Sequence, residues 1–110
     1  MANGIEPIPI SPQDLINLVR RIAQNSANIV VPEFLKKEKW EPRITLLQVY
    51  KCLKDTGTIE GEVILDEYSN WVCWFSDFSA GIPLSVKVAV DPKYYDIGRV
   101  IVLEVKRGEP

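Results

Sequence analysis

The spacing of apolar residues changes at Gly57, and this change constrains the fold more than any other feature. Before Gly57, apolar residues recur at helical spacing. After it, four segments rich in β-branched and aromatic residues are separated by Asp, Asn, Ser, Gly and Pro. Helices followed by consecutive strands predict an α+β domain, in which the N-terminal helices pack on one face of a three- to four-stranded antiparallel meander sheet.

Capping residues mark the start of two principal helices. Ser11, followed by Pro12, is a suitable N-cap for a first helix near residues 12–25. Thr45 and Gln48 have the spacing of a capping box and predict a second helix near 45–55.

The connection between these helices leaves two alternatives open. Residues 27–31 fit either a short strand or a buried connection, and residues 33–41 fit one or two helical turns limited by Pro42. The later segments predict four strands, at 58–65, 71–78, 84–90 and 99–105. In the second of them, alternation places Trp71, Cys73 and Phe75 on one face and Val72, Trp74 and Ser76 on the other.

The length of 110 residues predicts one domain, over residues 11–107, after an extended N-terminal lead at 1–10. The chain has no histidine, which excludes histidine-dependent triads and histidine-ligated zinc. Cys52 and Cys73 lack CxxC spacing and are expected to be buried reduced thiols. We expect no metal and no other cofactor. The sequence shows no secretion signal and no apolar run long enough to span a membrane, so we expect a cytoplasmic protein without a membrane partner.

Charge divides the chain into a basic and an acidic stretch. Residues 20–54 hold eight basic and three acidic residues, whereas 55–77 hold six acidic residues and no basic one. A basic surface attracts phosphates, and an acidic one repels them or recruits a basic partner; the alternative is that both are solvated faces. The acidic residues lack the loop spacing of a calcium site, so metal binding is not favoured. They are Asp55, Glu60, Glu62, Asp66, Glu67 and Asp77.

The chain has a helical segment with Val49 and Leu53 before Gly57, a turn with Asp66, Asn70 and Trp71, and a turn with Ala80 and Gly81 before two closing strands. These central and C-terminal segments resemble a family of small bacterial domains of unknown function related to the RelE and MqsR toxins. The family has a helix that ends in leucine and a glycine turn, then a strand, an Asp-x-x-Gly-Asn-Trp-like turn, an Ala-Gly turn and two closing strands. The matching positions are Val49, Leu53, Gly57, Glu60, Gly61, Asp66, Asn70, Trp71, Ala80 and Gly81. Residues 11–31 are similar to the family's first helix and strand, so the resemblance covers about residues 11 to 105.

The chain departs from this family at one motif. The family carries a His-Ala-x-x-Arg-Met-x-x-Arg signature between the first strand and the second helix. Here the corresponding places hold Phe34, Leu35, Glu38, Lys39 and Pro42, and Arg43 lies one place from the last arginine. The resemblance therefore implies a RelE/MqsR-like fold whose usual site has been lost or rebuilt.

RelE-like ribonucleases resemble one another in using arginine, lysine and tyrosine to stabilise charge on the reacting phosphate. The resemblance implies five catalytic candidates in this chain: Arg43, Lys87, Tyr94, Tyr95 and Arg99. The alternative is that the tyrosines pack beside the final turn while Lys87 and Arg99 solvate the sheet.

A second set of candidates surrounds Trp40, because an aromatic ring interleaved with cations suits nucleic-acid contact. The set is Lys36, Lys37, Lys39, Trp40 and Arg43. Trp74 is a further aromatic that could stack a base or anchor a protein, with packing as the alternative. Two functions stay open: weak RNA binding or ribonuclease-like cleavage by a divergent toxin-like domain, or a non-catalytic interaction module. The corresponding partners are RNA or a small antitoxin-like protein, with self-association as a further option.

Overall fold

The computed structural model describes residues 10–36, 44–79, 81–91 and 98–108. Its helical elements are α1 (Pro12–Ala23), a 3-10 turn (Ser26–Asn28), α2 (Glu33–Lys36), α3 (Leu46–Lys51) and a π-helical turn (Cys52–Thr56). Its strands are β1 (Ile29–Val30), β2 (Thr58–Leu65), β3 (Trp71–Ser79), β4 (Ile82–Asp91) and β5 (Arg99–Arg107).

Both predicted helix caps are confirmed. The Ser11 hydroxyl accepts a hydrogen bond from the backbone N–H of Asp14 at 3.1 Å. In the capping box, the Gln48 N–H donates to Thr45 Oγ1 at 3.3 Å and the Thr45 N–H donates to Gln48 Oε1 at 2.6 Å. Each cap satisfies backbone donors that have no partner within the helix, which fixes where the helix begins.

The second helix does not continue as an α-helix to residue 55. After Lys51 the backbone widens into the π-helical turn, which closes with the Gly57 N–H donating to the Cys52 carbonyl at 2.8 Å. The Gly57 carbonyl accepts a hydrogen bond from Arg20 Nη2 of α1 at 3.1 Å. The helical segment as a whole therefore ends at Gly57, where the spacing of apolar residues changes. The Arg20 hydrogen bond joins this end to the first helix.

The α+β class is confirmed, but the sheet has five strands and is mixed, in the order β1-β5-β4-β3-β2. Strands β2 to β5 pair antiparallel, each with its neighbour in sequence. The short strand β1 adds to β5 in parallel, through Ile29 opposite Val100 and Val30 opposite Ile101. Of the two alternatives for residues 27–31, the structure therefore has the strand. A two-residue strand is too short for its hydrophobic pattern to predict which strand it pairs with.

The hydrophobic core lies on one face of the sheet, under α1, α3 and the π-helical turn. Its largest fully buried side chain is Phe75 of β3, which shares the face that alternation gave to Trp71 and Cys73. The helical side contributes Leu15, Val19, Ile22, Val49 and Leu53, and the sheet contributes alternate residues of β4 and β5. One side of the sheet is thereby committed to packing.

A β-bulge in β5 reverses which face its later residues occupy. Lys87 of β4 lies opposite Glu104, while Val88 lies opposite Val102, so that Leu103 is an extra residue. The bulge keeps both Val102 and Val105 buried. It also moves Lys106 to the face opposite the core, since Lys106 pairs with Ser85 and not with a core position of β4.

The side chain of Asp66 organises the β2–β3 turn. Asp66 Oδ1 accepts hydrogen bonds from the N–H groups of Tyr68 at 2.8 Å and Asn70 at 2.9 Å. Ser69, in the same turn, has a φ of 63°, in the left-handed region. Within the described residues, none of the helices is long and apolar enough to cross a membrane.

Candidate nucleic-acid interface

Among the described residues, the sheet face opposite the core, called here the open face, holds none of the core cluster, although Ser85 and Ala89 on it are buried. Strand register divides it into rows that run across the strands. One row is aliphatic and crosses the sheet; its members are Val30, Ile101, Ala89, Val72 and Ile64. Ala89 of this row is buried, Val30, Ile101 and Val72 are half-buried, and Ile64 is 57% exposed, so the row is only partly accessible.

The neighbouring row is built around Trp74. It runs from Glu60 through Trp74 and Lys87 to Glu104. The ammonium of Lys87 lies 6.0 Å from the centroid of the Trp74 ring, and that of Lys106 lies 5.1 Å from it. Both distances fall within the range of a cation–π interaction. The ring is half-buried, so part of its surface stays accessible.

The next row has small hydroxyl side chains and ends in a cation. It runs from Thr58 through Ser76 and Ser85 to Lys106. The Ser76 hydroxyl donates to Glu60 Oε2, and the Ser85 hydroxyl donates to the Gly108 carbonyl. Serine side chains are short and Ser85 is fully buried, so this row is low beside the Trp74 ring; it is called here the trough.

Phe78 stands on the far side of this trough, on the same face of β3 as Trp74, opposite Pro83. Its side chain is 70% exposed. A phenylalanine at this exposure contributes little to folding, whereas its ring is available to a partner.

Among the described residues, the charges that strand register places on the open face balance. Lys87, Lys106 and Arg99 are offset by Glu60, Glu104 and Asp91, and Arg99 forms an ion pair with Asp91 at 3.6 Å. Around Trp74, Lys87 and Lys106 are matched by Glu60 and Glu104, and the Arg99–Asp91 pair lies at one end of the sheet. Any attraction for phosphates would therefore be local and weak.

Two of the five catalytic candidates, Lys87 and Arg99, lie on the open face. Arg99 pairs with Asp91, which is four residues from Lys87 along β4, or about 13 to 14 Å at the rise of a strand. The two cations also have different partners, Trp74 and Asp91. Arg43, Tyr94 and Tyr95 lie outside the described residues.

The candidate set around Trp40 lies almost entirely outside the described residues. Only Lys36 is within them, as the last residue of α2. Lys106 was not among the predicted site residues. The bulge in β5 brings it to Trp74, and the one signal for that bulge in the sequence is the three-residue step from Val102 to Val105, which breaks the alternation.

The acidic segment does not form a metal site in the part of the chain that the structure describes, where no group of three or more metal-ligating side chains occurs. Several of its carboxylates have structural partners instead. Asp66 caps the β2–β3 turn, Asp77 accepts a hydrogen bond from the Thr56 hydroxyl, and Glu60 accepts one from Ser76.

Both cysteines are free and buried, as the sequence predicted. Burial raises the pKa of Cys52 to about 12, with a further contribution from Asp77, and burial raises the pKa of Cys73 to about 12. Thiols with such pKa values are protonated at neutral pH and are poor nucleophiles.

The helical side of the molecule has a shallow groove of about 660 Å³ between the end of α1 and α3. Leu47 and Tyr50 supply apolar surface, and Lys51 and Lys54 supply positive charge. Leu47 is 79% exposed although it lies in a helix.

No protein-family model, curated protein or solved structure matches this chain.

Proposed function

We propose that the open face binds single-stranded RNA, with Trp74 stacking on a base and Lys87 and Lys106 contacting phosphates. The observation that carries the proposal is the pair of ammonium groups at 6.0 and 5.1 Å from the Trp74 centroid, on a sheet face outside the core. An aromatic platform flanked by cations is how proteins hold single strands without reading sequence. The resemblance to RelE/MqsR-like domains, which process RNA, agrees with this ligand.

The expected affinity is low, because the described charges of the face balance. Two phosphate contacts on a single strand give a slope of about −1.4 for the logarithm of the binding constant against the logarithm of salt concentration. Stacking of one base adds about 1 to 3 kcal/mol. We limit the proposal to binding, since Lys87 and Arg99 hold separate partners and the other catalytic candidates lie outside the described residues.

The test is fluorescence anisotropy of a labelled 12-nucleotide RNA at low salt. Trp74→Leu is expected to weaken binding about fivefold or more, and Lys106→Gln to reduce the salt slope by about 0.7. Lys54→Gln is the matched control, because it removes the same charge from the helical side. Equal effects of Lys106→Gln and Lys54→Gln, or an unaffected Trp74→Leu variant, would refute the proposed site.

A second candidate function is a non-catalytic interaction module, favoured by the groove beside α3. Its apolar Leu47 and Tyr50 next to Lys51 and Lys54 suit an amphipathic helix with an acidic face. A synthetic helix with leucines at positions i, i+3, i+4 and i+7 and glutamates elsewhere is the probe. If this function is correct, the peptide shifts the backbone NMR signals of α3. A lysine-containing peptide with the same leucines should not.

A further inference from the structure

Phe78, two rows from Trp74, gives the open face a second aromatic side chain, and its position has consequences for the ligand. Trp74 and Phe78 are four residues apart on the same face of β3, in a stretch where pairing with β4 is regular from Trp71 to Ser79. At the rise of an antiparallel strand, their Cα atoms are about 13 to 14 Å apart. Two rings thus stand on one strand with the serine trough between them.

The trough has a cation at its end. Ser76 and Ser85 form its floor, and Lys106 follows Ser85 in the same row. Ser76 and Ser85 direct their hydroxyls to Glu60 and to the Gly108 carbonyl, so the floor is already hydrogen-bonded. Ser85 is fully buried and Ser76 is half-buried, so a sugar–phosphate backbone would pass over Ser76. The ammonium of Lys106, 5.1 Å from the Trp74 ring, is placed to meet a phosphate between the two rings.

We propose that Phe78 is a second base platform, so that the ligand of the open face is an extended single strand whose stacked bases are not adjacent. This inference rests on the proposed function and adds the form of the ligand. Neighbouring stacked bases are about 3.4 Å apart, much less than the distance between the two rings. The bound RNA must therefore unstack and place at least one nucleotide over the trough.

The experiment is competition by unlabelled oligouridylates of one to six nucleotides against the labelled RNA. The wild-type protein is expected to show a step in affinity, about fivefold or more, at the first length that reaches both rings, which is three nucleotides or longer. Phe78→Ala should abolish the step and leave the affinity for the dinucleotide unchanged. Trp74→Leu should weaken every length. In the shortest oligomer that shows the step, removing an inner base should be tolerated, whereas removing an end base should not.

Tyr68→Ala is the matched control, because Tyr68 is 68% exposed and lies in the turn at the other end of β3. Both variants replace an exposed aromatic ring, so neither should prevent folding. Binding that depends on Trp74 but keeps its length step in Phe78→Ala would overturn this inference and leave the proposed function intact. Absence of RNA binding by the wild-type protein at low salt would overturn both.

Discussion

Gly57→Ala is expected to destabilise the protein although the backbone conformation of Gly57 suits any residue. Its φ is −72°, so no conformational strain arises. A Cβ atom there would lie 2.4 Å from the Cys52 carbonyl oxygen and 2.6 Å from Cys52 Sγ, compared with ordinary contacts of 3.4 to 4 Å. The π-helical turn must therefore move by about 1 Å to admit one methyl group.

The surroundings oppose this movement. The Cys52 carbonyl accepts the Gly57 N–H at 2.8 Å, and the Gly57 carbonyl is held by Arg20 at 3.1 Å. Overpacking costs about 1 to 3 kcal/mol, and weakening one hydrogen bond adds about 1 kcal/mol. We expect the free energy of unfolding to fall by about 2 to 4 kcal/mol. In a domain of this size the melting temperature would fall by about 10 °C or more.

Gly61→Ala separates the cost of steric overlap from the cost of an unfavourable backbone conformation. Gly61 has a φ of 83°, but no atom lies within 4 Å of a Cβ added there. Its substitution costs about 1 to 2 kcal/mol of left-handed strain, partly offset by the lower entropy of the unfolded chain. Urea denaturation of both variants should place Gly57→Ala below Gly61→Ala in stability. The reverse order of stability would refute the argument, because it is the order expected if only the backbone φ of each glycine mattered.

Three further predictions concern the same helical end, the β2–β3 turn and the core. Arg20→Gln should lower the free energy of unfolding by about 1 to 2 kcal/mol in urea, because the hydrogen bond to the Gly57 carbonyl is lost; an unchanged midpoint would contradict it. Ser69→Gly should raise the thermal midpoint, by up to about 1 kcal/mol in stability, since glycine adopts a φ of 63° without strain; a lower midpoint would count against strain at Ser69. Cys52 and Cys73 should resist alkylation at pH 8 until the protein unfolds, because their pKa is raised from 9.0 to about 12. The pKa of each thiol is higher in the folded than in the unfolded protein, so the stability that depends on it is complete below pH 9 and is lost as the pH rises toward 12. The midpoint of urea denaturation should therefore fall over this range. It should fall less in a Cys73→Ala variant.

Local sequence signals determined where most elements begin and end. The caps at Ser11 and Thr45 act within one helical turn, and the end at Gly57 depends on a close approach within the π-helical turn. Alternation in β3 likewise placed Phe75 in the core and Trp74 on the other face. These features depend on residues that are close in sequence, so they can be predicted from the sequence alone.

The tertiary structure decided the pairing of distant segments and, through it, the candidate site. The parallel addition of β1 to β5 depends on where the chain returns, which a two-residue strand does not encode. The bulge at Leu103 moves Lys106 to the Trp74 ring, and simple alternation would have sent this side chain toward the core. Strand register sets which side chains of different strands share a row. The candidate site is built from such rows, so it follows from register and not from any one segment.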